Sequence, residues 1–177
     1  MNHKKYILDT NTFIISYKQF YQFETFPSYW KKLSEATKDS VFLLDCIFEE
    51  LSPNGKKEDD MDEMDFWLQN DFLGNHIKEK QRTDILQKYA EILQYVADSE
   101  FYNENALKKW ANPKVADPWI IATACCDNCV IVTNEVSNSK LNAGSPTGDV
   151  KIPNVANQFG VSVISLFDFQ KAFKFKF

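Results

Sequence analysis

"KKYILDTNTFII" (residues 4–15) carries a short apolar strand into Asp9, Thr10 and Asn11 and then resumes its apolar character at once. Residues 5–8 read as a strand and the segment after Asn11 as a helix, so a carboxylate stands where the chain should be entering its core. In an open parallel sheet, ligands bind beyond the carboxyl ends of the strands, and Asp9 is the first residue past such an end. A second reading is an Asx-turn aspartate that closes a strand-to-helix corner. The rest of the chain decides between them.

Three further runs resemble the first: "SVFLL" (40–44), "CVIVT" (129–133) and "VSVIS" (161–165). Each is short, continuously apolar and separated from the next by helical sequence, and "CVIVT" is rich in β-branched residues. That is the pattern of parallel strands buried on both faces, so the expected fold class is α/β with a short, mainly parallel sheet. Among the helices, Ile85, Leu86, Tyr89, Ile92, Leu93 and Val96 form one apolar stripe. Ser99 is expected to cap a following helix that runs through Trp110, and Ser165 the last helix, "LFDFQKAFKF" (166–175). Residues 45–128, between the second and third runs, show no strand signal, which predicts a helical insertion at about 53–112 within a single domain, 1–177. The one long loop, 136–153, is rich in Ser, Asn, Gly and Pro, and a loop of that length is functional or poorly ordered; its 136–150 part is expected to be flexible.

At roughly 150 residues per domain, 177 residues make one compact unit, and 44% hydrophobic and 15% aromatic residues suffice for a full core. Twenty basic residues against 25 acidic give a net charge of -5, which removes any bulk positive field for nonspecific nucleic-acid coating. The apolar run behind the first lysines is too short for a signal peptide, and no stretch of about 18 apolar residues offers a membrane span. A cytoplasmic protein is expected. Cys125, Cys126 and Cys129 cluster in "ACCDNCV" with Cys46 elsewhere, but His3 and His76 are isolated, so the further ligands of a closed zinc site are missing and small apolar thiols at a helix end are the better reading. The acidic run "KKEDDMDEMDF" (56–66) lacks calcium-loop spacing; Met61, Met64 and Leu68 recur at helical intervals, which makes it a solvated helix face.

Four carboxylates stand apart from that background. In "DCIFEEL" (45–51), Ile47, Phe48 and Leu51 set an apolar face; at about 100° per residue Glu50 falls roughly 105° from its centre and Glu49 roughly 150°, so Glu50 borders the core while Glu49 faces water. In "ADPWIIATACC", Asp117 before Pro118 can start a helix as its cap, yet it shares a face with Ile120, Ile121 and Ala124. That helix runs about ten residues, roughly 15 Å at 1.5 Å per residue, and the strand that follows returns roughly 17 Å, bringing Glu135 to the level of Asp117. Asp9, Glu50, Asp117 and Glu135 therefore converge on one end of the sheet. At 4 Å and an effective dielectric of about 20, each like-charged pair costs on the order of 4 kcal/mol. Either protons or a divalent cation must relieve this, and hard oxygen ligands without His or Cys select Mg2+ or Mn2+. Such a centre suits hydrolysis of a phosphodiester, and no Gly-rich phosphate loop points to nucleotide-driven transfer.

"YILDTNTFI", "EEL", "ADPWIIATA" and "VIVTNE", together with "FETFPSYW" and "KIPNVANQFGV", resemble the PIN-like domain superfamily in order and spacing, and look most like a branch known only as a domain of unknown function. The resemblance implies a three-layer α/β/α fold and a metal-dependent ribonuclease, often the toxin of a bacterial toxin-antitoxin pair, whose cleavage leaves a 5′-phosphate. By similarity Asp9, Glu50, Asp117 and Glu135 would hold Mg2+ or Mn2+, and Asn11 and Thr133 would orient the carboxylates. Many relatives carry aspartate where this chain has Glu135, and Asp149 in the long loop could substitute for it. Lys140 and Lys151 are candidate phosphate contacts; Tyr17, Tyr21, Tyr29 and Trp30 could stack on bases, although packing is the stronger expectation for aromatics. The partners this reading admits are RNA, an antitoxin protein and a second copy of the chain, and no membrane. Two alternatives stand beside it: an inactive PIN-like module whose acidic pocket receives a basic partner segment, and a haloacid-dehalogenase-like phosphatase, which would need an acid where Asn11 stands.

Overall fold

In the computed structural model, which describes residues 4–53 and 56–176, the chain forms β1 (Lys5–Leu8), α1 (Thr10–Ile15) extended by a π turn at Ser16–Phe20, α2 (Pro27–Ser40), β2 (Val41–Leu44) and α3 (Asp45–Leu51). Then come α4 (Glu63–Asn70), β3 (Asn75–Ile77), α5 (Thr83–Asp98), α6 (Glu104–Trp110), α7 (Asp117–Asp127), β4 (Cys129–Val132), α8 (Ile152–Gln158), β5 (Val163–Ile164) and α9 (Leu166–Ala172). His3 lies outside the described residues.

The five described strands form one all-parallel sheet in the order β3-β2-β1-β4-β5, the centre of a three-layer α/β/α fold. Parallel strands covered on both faces have no polar side, which is why the strand sequences are apolar throughout. Ile7, Leu8, Leu43, Leu44, Ile131 and Val132 are buried, each contributing about 1.5–3 kcal/mol relative to exposure. One outer layer is built on α7, which packs against β1 and β4 and is flanked by α5 and α8. The other contains α2 and the C-terminal segment, joined by an aromatic cluster: Tyr6 meets Phe169 edge-on at 5.3 Å and Tyr29 meets Phe175 at 5.9 Å. Tyr29 and Trp30 are buried in that cluster, so packing accounts for them.

Several expectations are corrected. The segment 53–112 is not purely helical: β3 pairs with β2 inside it, and in its sequence, "NHI", only Ile77 favours a strand. What permits β3 is Gly74, where a Cβ would stand 2.5 Å from the Val41 carbonyl oxygen and from the Phe72 ring. Ser99 ends α5 rather than starting α6; Asn103 caps α6, accepting bonds from the amides of Asn105 and Ala106. Leu86 is exposed, so the buried stripe of α5 is Ile85, Ile92 and Val96. The acidic run is not wholly a solvated face. Asp65 is fully buried, accepting from Lys56 Nζ at 2.6 Å and the Asp62 amide at 2.8 Å. Ser165 does cap α9, through the Asp168 amide.

The long loop after β4 contains no helix or strand but is tied down. Asn138 and Asn154 exchange two bonds, and the loop's Thr147 bonds to Phe101 and Asn103. α7 ends on Asn128 in the left-handed region (φ 51°), and α8 ends on Gly160 at φ 70°, which turns the chain into β5. Cys46 and Cys129 are buried, Cys125 and Cys126 half-buried, and all four are free thiols. Burial pushes Cys125 up to about 11 and Cys129 to about 12, consistent with apolar packing. No described helix is long and apolar enough to cross a membrane.

Candidate acidic site

β1 and β4 are adjacent and parallel, with Leu8 paired to Val132, so Asp9 and Thr133 emerge side by side at the carboxyl end of the sheet. Asp9 occupies the position before α1 in extended backbone (φ -61°, ψ 148°), yet its side chain makes no capping bond to that helix. Its Oδ2 instead accepts from Thr133 Oγ1 at 2.9 Å, and Thr133 Oγ1 in turn accepts from the Glu135 amide at 3.1 Å. Thr12, buried on the first turn of α1, donates to the Val132 carbonyl at 3.1 Å and pins the corner. The Asp9 carboxylate therefore reaches across two strands to Thr133 while also meeting the Asn11 amide two residues on, as in an Asx turn.

Asp117 is likewise not a helix cap. Ala116 holds that position, Asp117 is the first helical residue and Pro118 the second, where its missing N–H is not needed. Asp117 points into the same electrostatic field as the other three. Burial raises its pKa first, then Asp9, Glu135 and Glu50, with Lys109 opposing, and it is pushed up to about 7. Asp9 is only 2% exposed; burial, Glu135 and Glu50 outweigh the Thr133 bond and the Asn11 amide and carry it to about 6. Glu50 and Glu135 thus act on both Asp9 and Asp117, and Asp9 acts on Asp117 across 108 positions of sequence.

The outer pair is held from the sides. Glu50 is exposed on α3 rather than bordering the core, yet its Oε2 accepts from Thr10 Oγ1 at 2.5 Å and its Oε1 from the Ala116 amide at 3.3 Å. Glu49 faces solvent and pairs with Lys80 at 3.5 Å. Glu135 is tied by the Ile152 amide at 2.8 Å, at the start of α8, and by Lys151 Nζ at 3.6 Å. Asp149 is exposed and pairs with Lys151 at 3.1 Å; it is absent from the principal influences on Asp9 and Asp117, whereas Glu135 acts on both. Asn11 is exposed and acts on Asp9 through its backbone amide. Lys140 is exposed in the loop.

Sequence reasoning missed three supports: Thr10 and the Ala116 amide, which hold Glu50, and Glu79. The last is fully buried, and its carboxylate accepts from the amides of Asp45 at 2.9 Å and Cys46 at 3.2 Å, so it caps α3 from a distant turn. A carboxylate at a helix N-terminus is favoured by the exposed amides and the dipole. The signal available was a lone Glu at the end of an otherwise unassigned stretch, too little to place it.

The donor set consists of hard oxygens, and the two inner carboxylates carry raised pKa values that a cation would relieve, which fits Mg2+ or Mn2+ in chemistry. Among the described residues, no three His, Cys, Asp or Glu side chains already stand as a group able to hold a metal ion. Glu50 and Glu135 are each held by the bonds just described, whereas Asp9 and Asp117 are the two whose pKa values are raised.

Fold and site define an α/β protein with an acidic cluster at the carboxyl ends of its central strands. The chain belongs to the family described as domain of unknown function (DUF4411), whose model matches residues 6–177. No curated protein matches the chain.

Proposed function

We propose that this chain is a PIN-like, Mg2+- or Mn2+-dependent endoribonuclease of the cytoplasm, acting as the toxin of a toxin-antitoxin pair. One observation supports it above the rest: Asp9 and Asp117 lie buried at one end of the sheet with Glu50 and Glu135 acting on both, and burial first and these charges after it carry Asp9 to about 6 and Asp117 to about 7. Perturbed carboxylates cluster at functional sites.

In this reading Asp9 and Asp117 hold the cation, with Glu50 and Glu135 approaching from either side. When bound, the cation supplies Lewis acidity toward water and toward the phosphodiester oxygens. Thr133 fixes the orientation of the Asp9 carboxylate and ties it to the backbone of Glu135. Lys151 stands beside Glu135, within reach of a phosphate oxygen should it exchange that partner. Protons compete with the cation for Asp9 and Asp117, so activity should fall as pH drops from 7 toward 6.

The binding-module alternative is favoured by one fact: the four carboxylates as they stand do not form a ready metal cage. The phosphatase reading is weaker, because Asn11 cannot serve as an acid and is exposed. The test is cleavage of single-stranded RNA in Mn2+ or Mg2+, with 5′-phosphate ends on the products. Asp9→Asn should keep the fold and lose cleavage; a variant that cuts as fast as the parent removes the assignment.

A further inference from the structure

The segment that joins α6 to α7, "KKWANPKVAD" (108–117), sets three lysines beside the acidic site and carries no acid before Asp117 itself. Lys108, Lys109 and Lys114 are all exposed. Lys109 is the one cation among the principal influences on Asp117 and is absent from those on Asp9, so it stands on the Asp117 flank. The Glu135 flank has Lys151, but that ammonium is committed to Glu135 at 3.6 Å and Asp149 at 3.1 Å. Among the described residues, Lys108, Lys109 and Lys114 have no ion-pair partner, and their ammonium groups donate no hydrogen bond.

The backbone beneath these lysines is fixed. Trp110 is fully buried at the end of α6, and its carbonyl accepts from Tyr89 Oη at 3.4 Å. The turn that follows is closed by the Val115 amide on the Asn112 carbonyl at 2.9 Å and by the Lys114 amide on Asn112 Oδ1 at 3.1 Å. Trp119 Nε1 donates to the Pro113 carbonyl at 3.3 Å and ties the turn to α7, while the Ala116 amide of the same segment holds Glu50. Such a rim costs little ordering when it meets a ligand, because only the lysine side chains remain to be fixed. Attraction to the carbonyl end of α6 accounts for lysines in its last turn, but Lys114 lies beyond the helix and gains nothing from it.

In a chain of net charge -5, three uncommitted cations on a rigid turn next to a carboxylate cluster match a ligand that is anionic and repeats its charge. A phosphodiester chain does both. With a cation relieving the carboxylates at one phosphate, the neighbouring phosphates still call for cationic partners, and the lysines lie to one side of that point. An acidic protein segment would meet the lysines only where its own carboxylates fall, whereas every nucleotide brings a phosphate. We propose that Lys108, Lys109 and Lys114 grip the backbone of RNA on the Asp117 flank of the site, with Lys109 on the phosphate next to the one that is cut. The identity of the polyanion rests on the ribonuclease reading; the grip itself needs no cleavage.

The experiment measures binding of fluorescein-labelled oligouridylate to the full chain by anisotropy in Ca2+ across a series of salt concentrations, and separately its cleavage in saturating Mn2+. Each lysine that holds a phosphate of a single strand contributes about 0.7 to the slope of log affinity against log salt. Lys109→Gln should therefore lower the slope by about 0.7, and joint replacement of Lys108, Lys109 and Lys114 by Ala by about 2. Lys109→Arg should keep it. In cleavage the same losses should raise KM and leave kcat nearly unchanged, the mark of binding shared by ground and transition states. Lys38→Ala, an exposed lysine at the opposite end of the sheet, should match the parent in both assays. The proposal is overturned if the parent does not bind oligouridylate, if the variants keep the parent's slope, if Lys38→Ala loses as much as Lys109→Gln, or if polyglutamate binds the parent as tightly as the RNA. Cleavage by the parent with slope and KM unchanged in the triple variant removes the lysine rim alone. Binding with the expected slope losses but no cleavage keeps the rim and removes the ribonuclease reading.

Discussion

Replacing Asp117 by Asn should make the protein more stable, and only above a particular pH. Asp117 is pushed from its ordinary 3.8 to about 7 by burial first and then by Asp9, Glu135 and Glu50. Because the folded value lies above the unfolded one, the folded state holds this proton more tightly, and stability falls as pH rises from about 4 to about 7. At about 1.36 kcal/mol per pH unit, the ionised form costs folding on the order of 4 kcal/mol at pH 8. The amide keeps the shape and carries no charge, but its desolvation returns part of that gain, roughly 1–2 kcal/mol. A net gain of about 2–3 kcal/mol is expected at pH 8 without divalent cations, a rise in Tm of about 4–12 °C at 2–4 °C per kcal/mol. At pH 4, where the acid is already neutral in the fold and half neutral in the unfolded chain, the gain should vanish. Urea unfolding of parent and variant at pH 4, 6 and 8 measures this. Equal stabilities at pH 8, or a gain of the same size at pH 4, would refute the electrostatic reasoning.

Two further outcomes follow from carboxylates outside the cluster. Glu79→Gln should cost about 2 kcal/mol in urea unfolding, because one of the two amides at the start of α3 loses a charged acceptor in a fully buried setting, and divalent-cation affinity should fall with it since α3 carries Glu50. Burial opposes ionisation of Asp65, but Lys56, Ser52 and the Asp62 amide outweigh it and hold the carboxyl at about 2. Asp65→Asn should therefore lose about 1–2 kcal/mol at pH 7, discounted because Lys56 is partly open to solvent, and the loss should disappear as pH falls from 4 through 2.

The α/β class was legible because fully buried parallel strands write their burial directly into sequence, as in "YIL" and "CVIVT". β3 was not, because it exists through the close approach that Gly74 permits and not through its own residues. The approach of Glu135 to Asp117 could be read from element lengths, since a helix and a returning strand of known rise bring the one back to the level of the other. How those carboxylates are held could not. The supports of Glu50 and Glu135 come from Thr10, the Ala116 amide, Lys151 and the Ile152 amide, contacts set by how helices abut. Asp65 misled for a related reason: a buried aspartate inside an acidic run has the same composition as a solvated one, and only Lys56, nine residues earlier, distinguishes it.

Calorimetric titration of the chain with Mn2+ at pH 7.5, repeated at pH 6.5 in buffers of different ionisation enthalpy, addresses the cation directly. The parent should bind Mn2+, release protons on binding at pH 6.5, and lose both signals in Asp9→Asn. Absence of binding to the parent at millimolar Mn2+ and Mg2+, or unchanged binding to Asp9→Asn, would contradict the assignment of this cluster as a metal centre.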